Sequence, residues 1–227
     1  MLHAAERDEA VRTAWWAAIQ ARDPAQLVFV DESGTNLAMT PRYGRAPRGQ
    51  RVVGVAPRTH GANTSLIAAM STAGITAAMT LEGAVDRDAF EVFVTEVLGP
   101  TLHPGQLGVW DNLSVHKSAV AQWAIEARGC HVLFLPPYSP DFTPIEQAFS
   151  KLKTYLRRVS TRTRVALDAA ITAGLRLITA TDARCPGLVH PLRLCLSGPT
   201  AVRTALGRKF RGHDLARLVE AVLSARG

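Results

Sequence analysis

Leu107-Gly108-Val109-Trp110-Asp111-Asn112, a helical stretch over 115–128, and then Val132-Leu133-Phe134-Leu135 form the passage on which the fold turns. Each short apolar run bounded by turn-forming residues reads as a buried strand. Two such strands joined by a helix imply a parallel pair with a crossover. Working outward toward the C-terminus, a proline-rich loop runs from Pro136 to Thr143. A helix is expected from near Pro144 to about Arg158, and another from about Arg164 to Ala180. Toward the N-terminus the rhythm is different. Leu27-Val28-Phe29-Val30 is a strand expected to end at Asp31, and strand-like stretches follow at about 35–40, 51–56, 64–71 and 74–82. Pro41, Gly44, Gly61 and Gly74 punctuate them, so an antiparallel meander is predicted. Asp86 or Asp88 caps a helix predicted to reach Leu98, and residues 5–20 read as a helix leading into Asp23-Pro24. The expected fold class is therefore α/β: a mixed sheet, antiparallel meander plus parallel strands, flanked by helices.

A chain of 227 residues is long enough for one sizeable domain with short flanking pieces. Its apolar and charged fractions, 47% and 20%, fit a soluble globular protein. No apolar run approaches the roughly 20 residues needed to span a bilayer, and residues 1–7 lack the layout of a signal peptide. No membrane partner is expected. Cys130, Cys185 and Cys195 are odd in number and show no CxxC spacing, which argues against a disulfide framework or a zinc site and for a reducing cytoplasm. The formal charge of +7 is concentrated near the C-terminus, where residues 181–227 hold 8 Lys and Arg against 3 Asp and Glu. Two local runs carry more meaning: Arg42, Arg45, Arg48, Arg51 and Arg58, and Lys151, Lys153, Arg157, Arg158, Arg162 and Arg164. Neither contains an acid, and such clusters either bind phosphates or form solvated faces.

Val-Phe-Val-Asp31 and Gly-Val-Trp-Asp111 share one design, an apolar strand delivering an aspartate at its end. Sites of open α/β sheets gather outside strand ends, so neighbouring strands would bring the two acids together. Glu146, in the first turn of the helix after the proline-rich loop, supplies a third. Three carboxylates around one point repel each other unless cations sit among them. Oxygen ligands without His or Cys favour Mg²⁺ or Mn²⁺ over zinc. Two such ions about 4 Å apart could activate a nucleophile and stabilise the leaving oxygen of a phosphodiester. Each acid also has a local alternative. Either aspartate could make a turn, Asp111-Asn112 could start a helix, and Thr143-Pro144-Ile145-Glu146 fits a capping box with proline at the first helical position.

Three blocks, Val-Phe-Val-Asp31-Glu32-Ser33-Gly34, Trp110-Asp111-Asn112-Leu113-Ser114-Val115-His116-Lys117 and Leu135-Pro136-Pro137-Tyr138-Ser139-Pro140-Asp141-Phe142-Thr143-Pro144-Ile145-Glu146, resemble the catalytic blocks of bacterial insertion-sequence transposases in the mariner superfamily. The 34 residues between Asp111 and Glu146 match the spacing of that superfamily's D-D-E triad. The resemblance covers about residues 24–180. It implies a ribonuclease H-like fold and a metal-dependent transposase that hydrolyses DNA at transposon ends and transfers the freed 3′-hydroxyls to target DNA. It assigns Asp31, Asp111 and Glu146 as catalytic metal ligands for Mg²⁺ or Mn²⁺, with two ions expected. Asn112 and His116 match positions beside the second aspartate and are candidates for contacting DNA or orienting Asp111, with a structural His–backbone hydrogen bond as the equal alternative. Lys117, Lys151, Lys153 and Arg157 are further candidate DNA contacts.

The implied partners are transposon-end and target DNA, a second copy of the chain on that DNA, and a separate helix-turn-helix chain for end recognition, because residues 1–23 are too short for such a module. The expected location is the cytoplasm, at the nucleoid. A remnant that binds DNA or its own partner subunits without catalysis is the alternative. Three segments are expected: a helical lead-in over 1–23, the catalytic domain over 24–180 and a divergent tail over 181–227. Relatives end near a Trp-Phe-x-His-Cys-Gly-Tyr segment, absent here. Codons able to encode Cys185 to Leu196 can spell a closely similar segment when read one base later, so the tail is expected to be a frameshift product.

Overall fold

The computed structural model describes residues 7–183 and the backbone of 201–204. Asp8 accepts hydrogen bonds from the amides of Ala10 and Val11 and caps helix α1, Glu9–Gln20. Strand β1, Leu27–Thr35, pairs antiparallel with β2, Thr64–Ser71, which pairs antiparallel with β3, Gly74–Glu82. Asp86 caps α2, Arg87–Val92, whose last turns widen into a π-turn over Phe93–Leu98. Strands β4, Leu107–Trp110, and β5, His131–Phe134, flank α3, Ala119–Glu126. Helices α4, Ile145–Val159, and α5, Arg164–Leu175, follow, and β6, Ala201–Thr204, pairs parallel with β3. The sheet order is β5-β4-β1-β2-β3-β6. The predicted meander and parallel crossover thus share one sheet, with β1 as the strand where the two halves join.

Strand alternation gives the sheet two apolar faces. Phe29, Leu66, Ala68, Met70 and Val109 face α1, α4 and α5, packing with Trp15, Phe149, Leu152, Leu156, Leu167 and Ile171. Val28, Val30, Ile67, Ala69 and Trp110 face the other side, against Phe90, Phe93, Leu98 and Ile125. Trp15 and Ile19 lie in the first cluster, so the helix of the 1–23 lead-in packs against the sheet.

Four sequence expectations change. β1 continues to Thr35, because Asp31 lies within the antiparallel ladder to β2, opposite Ala68. The strands expected at 35–40 and 51–56 are absent beyond Thr35. Pro41, Pro47 and Pro57 remove ladder donors there, and Val53 and Val55 are exposed with no layer to cover them. The helix expected over 115–128 breaks into a 3₁₀ turn at Ser114–His116 and α3, with Ser118 capping the latter through the Ala121 amide. The helix expected to reach Ala180 ends at Leu175. The 185–227 tail, including Cys185, Cys195 and the expected frameshift, lies outside the described residues apart from the backbone of β6.

Candidate active site

The parallel register pairs Leu27 with Leu107, Val28 with Gly108 and Phe29 with Val109. Two residues further along each chain, that offset brings Asp31 level with Asp111. Glu146 arrives from a third direction, in the first turn of α4. All three acids line one pocket of about 420 Å³. Burial raises the Asp31 carboxyl to about pKa 7; the Glu32 amide, donating at 2.8 Å, opposes this, and the charges of Glu146, Glu32 and Asp111 add to it. Asp31 therefore feels both other members of the triad.

His116 is the charged group that answers this acidity. It is buried, its ring tilted against Phe90 at 4.3 Å between centroids. Its Nδ1 bonds Oδ1 of Asp111, and its Nε2 bonds Oε1 of Glu32 at 2.6 Å. Carboxylates only accept, so both ring nitrogens donate and the ring is an imidazolium. Burial would lower its pKa, but the hydrogen bonds to Asp111 and Glu32 outweigh that and raise it to about 9. Of the three roles considered for His116, the geometry fits orienting Asp111, since both ring nitrogens bond carboxylate side chains and not backbone. Glu32 is the residue that sequence reasoning passed over. It follows Asp31 on the opposite face of β1, and that alternation turns it toward the α2 side, where His116 packs.

The proline-rich loop is held from below by α1. Arg12, only 4% exposed, donates to both Asp141 oxygens, at 3.2 and 2.7 Å, and to Ser139 Oγ at 2.5 Å. Its guanidinium lies 4.0 Å from the Phe142 ring centroid, and Trp15 stacks on the same ring at 5.2 Å. Trp15 Nε1 donates to the Phe134 carbonyl at the loop's start. Burial would raise Asp141, but its bonds and attraction to Arg12 hold it below the ordinary carboxylate range. This brace carries the chain into α4 and Glu146. The capping-box alternative for Glu146 is not formed, because the Thr143 amide donates to Pro140 O. Among the described residues the Glu146 carboxylate accepts no hydrogen bond.

The remaining candidates separate. Asn112 is exposed and lines the pocket; Lys117 is exposed at the end of the 3₁₀ turn. Lys153 and Arg157 lie together with Arg42 and the 34–40 segment in a second, basic groove. Lys151 has a structural partner: its Nζ binds Asp182 at 2.8 Å and the Leu177 carbonyl at 2.8 Å, tying α4 to the segment after α5.

The donor set suits a hard divalent ion: three carboxylate residues, no sulfur, and no Lys or Arg among the pocket-lining residues. Among the described residues, no group of three His, Cys, Asp or Glu side chains stands as a ready metal cage. Oδ1 of Asp111 accepts from both His116 and the Leu113 amide. Ligation would fall to its Oδ2, which takes no hydrogen bond among the described residues.

Asp31 and Asp111, from the ends of adjacent parallel strands, and Glu146, from the first turn of α4, thus line one pocket. The chain belongs to the family described as DDE superfamily endonuclease, which matches residues 26–168. Its fold is similar to that of a pre-cleavage Mos1 transpososome (15% identity, TM-score 0.60, covering 81% of this chain and 66% of that one). It is also similar to the Mos1 mariner paired end complex with Mn (15%, TM-score 0.61, 81% and 60%). A third similar structure is the Mos1 transposase catalytic domain with raltegravir and Mn (14%, TM-score 0.60, 79% and 88%). The chain thus spans under two thirds of the longer Mos1 chains and most of the isolated catalytic domain. No curated protein sequence matches it. The shared architecture is the ribonuclease H-like mixed sheet flanked by helices.

Proposed function

We propose that this chain is the catalytic domain of a bacterial insertion-sequence transposase of the mariner superfamily. It cleaves DNA at transposon ends and joins the freed 3′-hydroxyls to target DNA. One observation carries the reading: the β1–β4 register aligns Asp31 with Asp111 beside Glu146, in a chain whose family is that of DDE endonucleases. Asp31, Asp111 and Glu146 would hold one or two Mg²⁺ or Mn²⁺ ions. When bound, such ions polarise the scissile phosphodiester and offset charge on its leaving oxygen.

The protein's own contributions follow from the geometry. Asp31, buried and crowded by like charge, would hold a cation in its ionised form. His116, gripped by Glu32, holds Asp111 in place. The braced proline-rich loop fixes Glu146 at the pocket. Lys153, Arg157 and Arg42 track the DNA backbone in the adjoining groove, with Asn112 and Lys117 at the pocket's edge. The working form is a homodimer on paired ends at the bacterial nucleoid, served by a separate helix-turn-helix chain.

The test is nicking of plasmid DNA carrying the element's ends, with Mn²⁺, beside Asp111→Ala. Metal-dependent nicking lost in the variant is the expected result. Equal DNA binding with no nicking by either protein would instead describe a non-catalytic remnant.

A further inference from the structure

Tyr138 stands in the left-handed region, with φ of +55°, one of two non-glycine residues to do so among those described. A bulky side chain there is strained, and such strain persists only where surrounding structure imposes it. Here Pro136, Pro137 and Pro140 stiffen the loop, and Ser139 Oγ donates to Pro137 O while accepting from Arg12. The fold nevertheless gains little packing from the ring, because Tyr138 is 54% exposed while lining the carboxylate pocket.

The character of the walls indicates what the ring is for. Val30, Leu113, Leu135 and Pro137 line the same pocket, and Leu113 is itself 53% exposed. No lysine or arginine is among the lining residues, whereas the neighbouring groove holds Arg42, Lys153 and Arg157. Phosphates match the basic groove and the cation-loaded acids. An apolar wall with an exposed aromatic matches the flat face of a base, since base–aromatic stacking needs no particular sequence.

We infer that Tyr138 is a base-stacking residue, receiving the nucleobase next to the phosphate that lies at Asp31, Asp111 and Glu146. This rests on the DNA-cleaving function proposed above. It assigns the apolar wall of the pocket to a nucleoside and leaves the charged contacts to the basic groove.

Short single-stranded DNAs carrying one 2-aminopurine at successive positions from the 3′ end test it, with Ca²⁺ present and a distal dye reporting binding by anisotropy. Stacking quenches 2-aminopurine. The full chain should quench it at one position, and Tyr138→Phe should keep that quenching. Tyr138→Ala and Tyr138→Asn should lose it and bind on the order of tenfold more weakly. Asn tolerates the left-handed conformation, so a folded Tyr138→Asn separates loss of the ring from backbone disruption. DNA binding with position-specific quenching unchanged in the folded Tyr138→Asn variant overturns the stacking role and leaves the proposed function standing. Absence of binding to these strands by the unaltered chain also overturns the stacking role, whereas failure of the proposed function is read separately, by absence of Mn²⁺-dependent nicking.

Discussion

Asp31 carries a large electrostatic load, and the sign of its effect can be measured. Its folded pKa, about 7, lies above the ordinary 3.8, so ionisation opposes folding. The penalty is absent below pH 3.8, grows as pH rises and is complete above pH 7. Asp31→Asn is therefore expected to raise the melting temperature of the metal-free chain above pH 7. The same variant should abolish the stabilisation that Mn²⁺ gives the unaltered chain; a metal-induced shift that survives would remove Asp31 from the ligand set. His116 differs in being charged when protonated, yet its raised pKa makes stability fall with rising pH in the same direction. Its folded pKa, about 9, exceeds 6.5, so its contribution is full below pH 6.5 and fades as pH passes 9. His116→Gln should accordingly cost more stability below pH 6.5 than above pH 9, read by urea unfolding. Glu146→Gln should abolish nicking with an unchanged melting temperature. A loss of about 1 kcal/mol would instead return Glu146 to a capping role.

At the scale of elements, α1 acts on the site from outside it, while α4 carries Glu146 into it. Arg12 joins α1 to the loop before Glu146 through a two-pronged bond to Asp141 that no other residue type can replace. Since Asp141 is half exposed, Arg12→Ala should cost about 2 kcal/mol, and Arg12→Lys should recover only part of it. Equal stability of all three proteins in denaturant titration would show that the brace holds nothing. The α4–α5 contact depends on a residue too small to appear in any motif. A Cβ at Gly174 would stand 2.5 Å from Leu152 Cδ1 and 2.9 Å from Tyr155 Cδ1. Gly174→Ala gains helix propensity but overfills this contact, for a net loss of about 1–2 kcal/mol by thermal unfolding.

For the whole molecule, net charge is a weak guide to DNA binding; placement matters more. The acidic pocket and the basic groove adjoin β1 on either side of Ser33, with Asp31 in one and Gly34 and Thr35 in the other. DNA laid across both would meet Lys153 and Arg157 as phosphate contacts. Replacing both with Ala should weaken binding uniformly across sequences. It should also reduce the slope of log affinity against log salt by about 2, close to one per lost contact. An unchanged slope would mean that these charges only solvate α4.

Local sequence determined much of this protein. The two β-hairpin strands at 64–71 and 74–82 lie where their apolar runs and the glycine turn predict, and the three acids stood out by their blocks and spacing. Short-range chemistry suffices there, because strand period, turn residues and helix punctuation act within a few residues. The false strands at 51–56 show the limit: Val53 and Val55 have the right propensity, but only a second layer could bury them, and the fold supplies none. The register that levels Asp31 with Asp111, the turn of Glu32 toward His116 and the grip of Arg12 on the proline-rich loop all join residues far apart in the chain. Such contacts form only when packing brings distant faces together, so tertiary structure alone decided them.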